Sequence, residues 1–87
     1  MNPYTEEKIN SNTYLRTFSE NTPETDLIWH LDREDRIIEA THITDWYFQF
    51  DNELPISLNN TISIPKNTFH RIIKGNGDCT IRITKYE

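Results

Sequence analysis

The chain has 87 residues, of which 34% are apolar, and a formal net charge of -5. This length allows one small domain with a thin core. The acidic balance argues against nucleic acid and anionic lipid as partners, because the phosphate interaction would be repulsive. No apolar run approaches the roughly 18 residues of a membrane span, so we expect no membrane insertion.

In the first half of the chain, apolar residues repeat with a period of two, which predicts strands. Residues 1–12 are polar and are expected to form an N-terminal arm, partly helical over residues 4–9. Strands are predicted at residues 14–18, at residues 26–32 and, after a charged break, at residues 36–41.

The second half continues with short strands and turns. Its strongest strand signal is residues 46–50, followed by a hairpin turn at Asp51-Asn52. The remaining predicted strands are residues 55–58, 61–64, 69–73 and 80–84. About eight short strands with no intervening helix predict an all-β sandwich or barrel.

Three residues suggest a metal site. In a strand, His30 and Asp32 would point to one side, about 6.5–7 Å apart at Cα, and could converge on one ion. His70 begins a later strand and could supply a third ligand. Spacing alone leaves open a hydrogen-bonded His30–Asp32 pair on a solvated face and an ordinary role for His70. A register slip would put Glu34 or Glu39 in place of Asp32.

Two sequence motifs resemble those of the cupins. Residues 61–70, TISIPKNTFH, are similar to the second cupin motif, in which a metal-binding histidine follows Ile-Pro by five residues, here as His70. In the first motif, His30 matches the first histidine, Asp32 occupies the place of the second, and Arg36 falls near the usual glutamate. The resemblance therefore implies two histidines and one carboxylate instead of the usual three histidines and one glutamate.

The resemblance implies a single-domain cupin over residues 13–87, a double-stranded β-helix or jelly-roll barrel of about eight short antiparallel strands. Residues 29–36 also resemble a block of small cupin-like proteins of marine phages. The implied cofactor is a divalent metal, with Fe(II) first and Ni, Mn or Zn as alternatives, since a facial triad of two histidines and one carboxylate suits Fe(II).

The implied function is a metal-dependent enzyme acting on a small organic molecule, with non-haem Fe(II)-type oxygenase chemistry as the leading type. The alternatives are a non-catalytic metal- or ligand-binding cupin, acting as a sensor or accessory protein, and a structural cupin. Candidate substrate-binding residues are Arg36, Tyr47, Gln49 and Arg82. For Arg36 the competing interpretation is a surface ion pair with a neighbouring acidic residue.

Other residues have simpler expected roles. Cys79, the only cysteine, is expected to be a free structural thiol, and His42 an exposed residue in a turn. Trp29 faces away from His30 in the predicted strand and could form a homodimer interface, which would support the thin core. The absence of a signal-peptide pattern at the start and of a cysteine pair favours a cytoplasmic protein.

Overall fold

The computed structural model describes residues 3–86, which form eight strands in two antiparallel sheets. In chain order these are β1 (Tyr4–Lys8), β2 (Thr13–Phe18), β3 (Asp35–Ala40), β4 (Tyr47–Phe50), β5 (Ile56–Ser57), β6 (Ile62–Ile64), β7 (His70–Ile73) and β8 (Cys79–Tyr86). One sheet has the order β1-β2-β8-β3-β6 and the other β5-β4-β7. The expected all-β class and strand number are confirmed. Among the described residues, no helix is long and apolar enough to cross a membrane.

The core lies between the two sheets and is formed by alternate residues of their strands. In β8, Cys79, Ile81 and Ile83 are buried, while the residues between them are more exposed. The smaller sheet contributes Phe48, and Trp46 just before β4 is fully buried as well. Side chains alternate between the two faces of a strand, so Trp46 and Phe48, two residues apart, both point into the core.

The expected helix over residues 4–9 is wrong. Strand β1 pairs antiparallel with β2 along its whole length, from Tyr4 opposite Phe18 to Lys8 opposite Tyr14. The Tyr4 ring also packs edge-on against Phe18, with 5.7 Å between the ring centroids. The segment expected to be an arm therefore supplies the edge strand of the larger sheet.

The expected strand over residues 26–32 is also wrong. Only His30 in this segment forms a β-bridge, with His70, through two backbone hydrogen bonds of 3.0 and 2.9 Å. Asn67 has a φ of 59°, and its N–H donates to the carbonyl of Asp32. This left-handed residue turns the chain just before β7, so the pairing ends after a single bridge.

Gly75 lies against the backbone of Asp45 near one end of the barrel. A Cβ at residue 75 would be 2.6 Å from both the carbonyl carbon and oxygen of Asp45. We expect Gly75→Ala to lower the free energy of unfolding by about 1–3 kcal/mol, because the added methyl group must displace backbone. Urea denaturation measures this change. Gly77→Ala separates steric overlap from backbone strain, because no atom lies within 4 Å of its added Cβ and its expected loss of about 1 kcal/mol comes from the φ of +70° alone. A larger loss in Gly77→Ala would contradict the steric explanation.

Candidate metal centre

His30, Asp32 and His70 come together at the bridge between the loop and β7. One potential ligand atom from each lies within 4.8 Å of the other two. Nε2 of His70 lies 3.3 Å from Oδ2 of Asp32. Two ligand atoms at right angles around a metal, each about 2.1 Å from it, are about 3.0 Å apart. This pair is therefore already near the spacing that a shared cation requires.

Backbone carbonyls determine which nitrogen of each imidazole is free. Nδ1 of His30 lies 3.0 Å from the carbonyl oxygen of Ile28, and Nδ1 of His70 lies 2.8 Å from that of Thr68. A carbonyl oxygen can only accept, so Nδ1 carries the hydrogen in both rings. In the neutral imidazole, Nε2 then has a free lone pair for a metal. Such carbonyl contacts orient histidine ligands in known metal sites.

The two oxygens of the Asp32 carboxylate have different surroundings: Oδ1 forms an ion pair, and Oδ2 is buried without a hydrogen bond. Oδ1 lies 3.3 Å from Nη2 of Arg36. Oδ2 is the only fully buried side-chain polar atom without a hydrogen-bond partner in residues 3–86. Burial raises the pKa of the Asp32 carboxyl, but its contact with His70 and the charge of Arg36 outweigh burial, so the pKa is below its usual value. A negative oxygen without a partner, facing Nε2 of His70, fits a divalent cation.

The available donors are two nitrogens and a carboxylate oxygen, a set that Fe(II), Mn, Ni and Zn accept. No thiolate belongs to it, because Cys79 is buried elsewhere and burial raises the pKa of its thiol. Cys79 is thus a free buried thiol, as expected. Glu34 and Glu39 lie outside this group of ligand atoms, and they form ion pairs with Arg36 and Arg82.

A cavity of about 400 Å³ opens beside these three residues and extends toward the core. Its volume lies within the range of small-molecule sites. The apolar part of its lining includes Phe18, Leu27, Ile38, Phe48, Ile64, Ile72, Ile81 and Ile83. Arg16, Asp26 and Arg36 add charged groups beside the three candidate ligands. The cavity therefore combines an apolar wall with a few charged side chains, as ligand-binding pockets do.

Arg36 is the one substrate-binding candidate from the sequence that lines the cavity. Its side chain is 11% exposed, and Nη2 contacts both Glu34 at 2.6 Å and Asp32 at 3.3 Å. The ion pair with a neighbouring acidic residue, the competing interpretation, is therefore present. Through the contact with Oδ1, Arg36 also orients the Asp32 carboxylate.

The other three candidates do not line this cavity. Tyr47 is 42% exposed, and Gln49 bonds Arg71 and the carbonyl of Glu53. Arg82 is an exposed partner of an exposed glutamate. These side chains do not reach the cavity because successive residues of β4 and β8 point to opposite faces, and the residues next to them fill the core. A role of Tyr47, Gln49 and Arg82 in binding a substrate stays a prediction.

Two residues of the lining, Arg16 and Asp26, were not identified from the sequence. For Arg16 a signal was present, because it is in phase with Phe18, a core residue of the same strand. The expected bystander His42 is exposed and bonds Thr41 and the carbonyl of Asp78.

Trp29 is 40% exposed and has the Arg71 guanidinium 4.7 Å from its ring centroid. The homodimer built on this residue stays a prediction.

Solved structures of low sequence identity share the fold. A cupin domain from Bordetella pertussis is 11% identical, with a TM-score of 0.59 over 97% of this chain and 92% of that one. KdgF from Halomonas sp. is 10% identical, with a TM-score of 0.64 over 95% and 88%. The DMSP lyase DddQ from Ruegeria pomeroyi is 6% identical, with a TM-score of 0.63 over 98% of this chain but only 48% of the lyase.

At these identities the likeness shows the fold alone, a small all-β cupin barrel, which confirms the expected architecture. The sequence matches no protein-family model and no curated protein.

Proposed function

We propose that this chain is a metal-binding cupin, in which His30, Asp32 and His70 hold one divalent cation beside a cavity for a small organic molecule. The observation that carries the proposal is the buried, unpartnered Oδ2 of Asp32 facing Nε2 of His70. An enzyme can be built around this fold, since the DMSP lyase DddQ contains it in about half of its length.

Fe(II) is the proposed metal, because two histidines and one carboxylate leave coordination positions for a substrate and oxygen. When bound, such a metal supplies Lewis-acid polarisation and a template for the substrate. The chain's own residues do the rest. Carbonyl contacts aim both imidazoles, Arg36 contacts the Asp32 carboxylate, and the apolar wall can pack against the apolar part of a substrate. Non-haem Fe(II)-type oxygenase chemistry on a small organic molecule is the leading activity.

A second candidate is a non-catalytic metal- or ligand-binding domain. The observation that favours it is the ion-pair network in which Arg36 joins Asp32 and Glu34, because this network can hold the loop in place without chemistry. Oxygen uptake by the Fe(II)-loaded protein with a panel of small carboxylic acids separates the two. Uptake above that of His70→Ala supports the enzyme, and its absence in a protein that binds the metal supports the second candidate.

Metal content tests the site itself. Protein purified without a His tag and loaded with Fe(II) under argon is expected to retain about one ion per chain. We expect His30→Ala and His70→Ala to lose it, because each removes a free Nε2. His42→Ala is the matched control, since this histidine is exposed and outside the cluster. Elemental analysis checks the outcome, and equal metal content in all three variants would contradict the proposal.

A further inference from the structure

Arg16 is a charged residue on the mostly apolar inner face of the larger sheet. It lies in the middle of β2, opposite Ile81 of β8 on one side and Glu6 of β1 on the other. Its side chain is 12% exposed and lines the cavity among isoleucines. Withdrawing a guanidinium from water costs free energy unless its donors are satisfied. The hydrogen-bond partners of its five N–H donors therefore determine whether this position is stable.

The protein satisfies only one edge and one face of this guanidinium. Nε and Nη2 both reach the same oxygen of Glu6, at 2.8 and 2.7 Å. The Tyr4 ring covers a face, with 3.8 Å between the guanidinium carbon and the ring centroid. Among residues 3–86, Nη1 bonds no protein atom and is not sealed in the interior. Since arginine has five N–H donors in a fixed fork, the edge between Nη1 and Nη2 can take two oxygens of another group.

Arg36 shows that a guanidinium in this barrel can hold two carboxylates, because it binds both Asp32 and Glu34. Both carboxylates at Arg36 come from the protein, which leaves no room for a third. Arg16 binds one protein carboxylate, that of Glu6 on the edge strand, and can therefore bind a second from a ligand. We infer that Arg16 anchors the carboxylate of a small organic acid, whose apolar part lies against the isoleucines of the cavity. This inference rests on the proposed function, since the cavity that Arg16 lines also contains the candidate metal ligands.

The lining selects this class of ligand. Most of the cavity wall is aliphatic or aromatic, so an inorganic anion such as phosphate would leave it without a partner. Glu6 already offsets part of the charge of Arg16, which favours a monoanion over a more highly charged group. A cavity of about 400 Å³ has room for a small acid.

Butyrate is the probe, and titration followed by ¹⁵N NMR, including the arginine Nε–H signals, measures its binding to metal-free and Zn(II)-loaded protein. We expect Arg16→Gln to weaken butyrate binding about tenfold or more, because a charge-assisted pair is lost. Arg82→Gln is the matched control. Arg82 also contacts one oxygen of a single glutamate, at 3.1 Å, but it is 49% exposed and outside the cavity. This control is expected to bind butyrate like the wild type.

Glu6→Gln provides a second variant that keeps Arg16. It removes the competing carboxylate, so we expect it to bind butyrate at least as tightly as the wild type. Butyramide, the neutral counterpart, should bind at least tenfold more weakly. Unchanged butyrate affinity in Arg16→Gln, weaker binding in Glu6→Gln, or phosphate bound as tightly as butyrate would overturn the inference. If Arg16→Gln does not fold, the inference is tested by the butyrate affinity of Glu6→Gln and by the butyramide affinity of the wild type.

The metal-free titration separates this inference from the proposed function. A wild-type protein that binds no metal but binds butyrate through Arg16 would refute the metal site and support the anchor. A protein that binds one metal ion but whose butyrate affinity does not respond to Arg16→Gln would refute the anchor and leave the metal site standing.

Discussion

Asp32→Asn is expected to remove metal binding and, with it, the stabilisation that the metal gives. The amide keeps the shape of the side chain but loses the charge of the only anionic ligand in the cluster. We expect metal affinity to fall by more than about 100-fold, because changes in outer-shell partners alone cost about 10–100-fold. Isothermal titration with Zn(II) or anaerobic Fe(II) measures the affinity directly.

Thermal unfolding gives an independent measurement of the same variant. Metal at a free concentration of about 100 times Kd should stabilise the wild type by about 2.7 kcal/mol and leave Asp32→Asn unchanged. Asp35→Asn is the control, because the Asp35 carboxylate accepts a backbone hydrogen bond from Lys66 and lies outside the cluster. If Asp32 served only as an ion-pair partner of Arg36, metal would stabilise none of the three proteins.

Phe48→Ala is expected to have the largest effect on folding. Phe48 is fully buried, stacks on the His70 imidazole with 5.3 Å between ring centroids, and packs edge-on against Phe50 at 4.8 Å. Truncating a buried phenylalanine costs about 3–5 kcal/mol. A small domain has a total stability near the low end of about 5–15 kcal/mol, so most of it would be lost. Urea denaturation in the absence of metal measures the change.

Tyr47→Ala is the matched control for this variant, since Tyr47 is the preceding residue of β4 and is partly exposed on the other face. We expect a loss below about 1 kcal/mol, as for a surface position without special contacts. Equal losses in the two variants would contradict the inward orientation of Phe48. A folded Phe48→Ala protein should also bind metal more weakly, because the His70 ring loses its supporting face.

The alternation of side chains along a strand explains which parts of the fold could be predicted from the sequence. Residues 46–50 and 80–84 alternate cleanly, and the structure has buried Phe48, Ile81 and Ile83 there. Residues 26–32 alternate just as well, yet Asp26 ends a short 3-10 helix (Glu24–Asp26) and the following residues form a loop with one bridge. Alternation shows only that the side chains of a segment are compatible with a strand. A strand also needs a partner segment of matching length. Here the partner is the segment that contains His70, and the left-handed Asn67 interrupts it three residues earlier.

The candidate ligands were identified by residue type and motif, and they meet even though His30 and Asp32 are not in the predicted strand. Their approach comes from the His30–His70 bridge and the contact of Asp32 with Asn67, which are long-range features that spacing does not contain. Arg16 was missed for a different reason. Arg16 is two residues from Phe18, so both side chains point to the same face of β2. That this face lines the cavity becomes clear only from the structure.

The single β-bridge between His30 and His70 joins two segments that lie far apart along the chain, and the only cysteine is unpaired, so no disulfide within this protein joins them. A metal bound by both histidines would link these segments in the folded protein only, because the two imidazoles separate when the chain unfolds. Its stabilisation would therefore grow with the free metal concentration relative to Kd, unlike that of a disulfide, which persists in the unfolded chain. A chelator would lower the unfolding temperature of the metal-loaded protein to that of the metal-free protein.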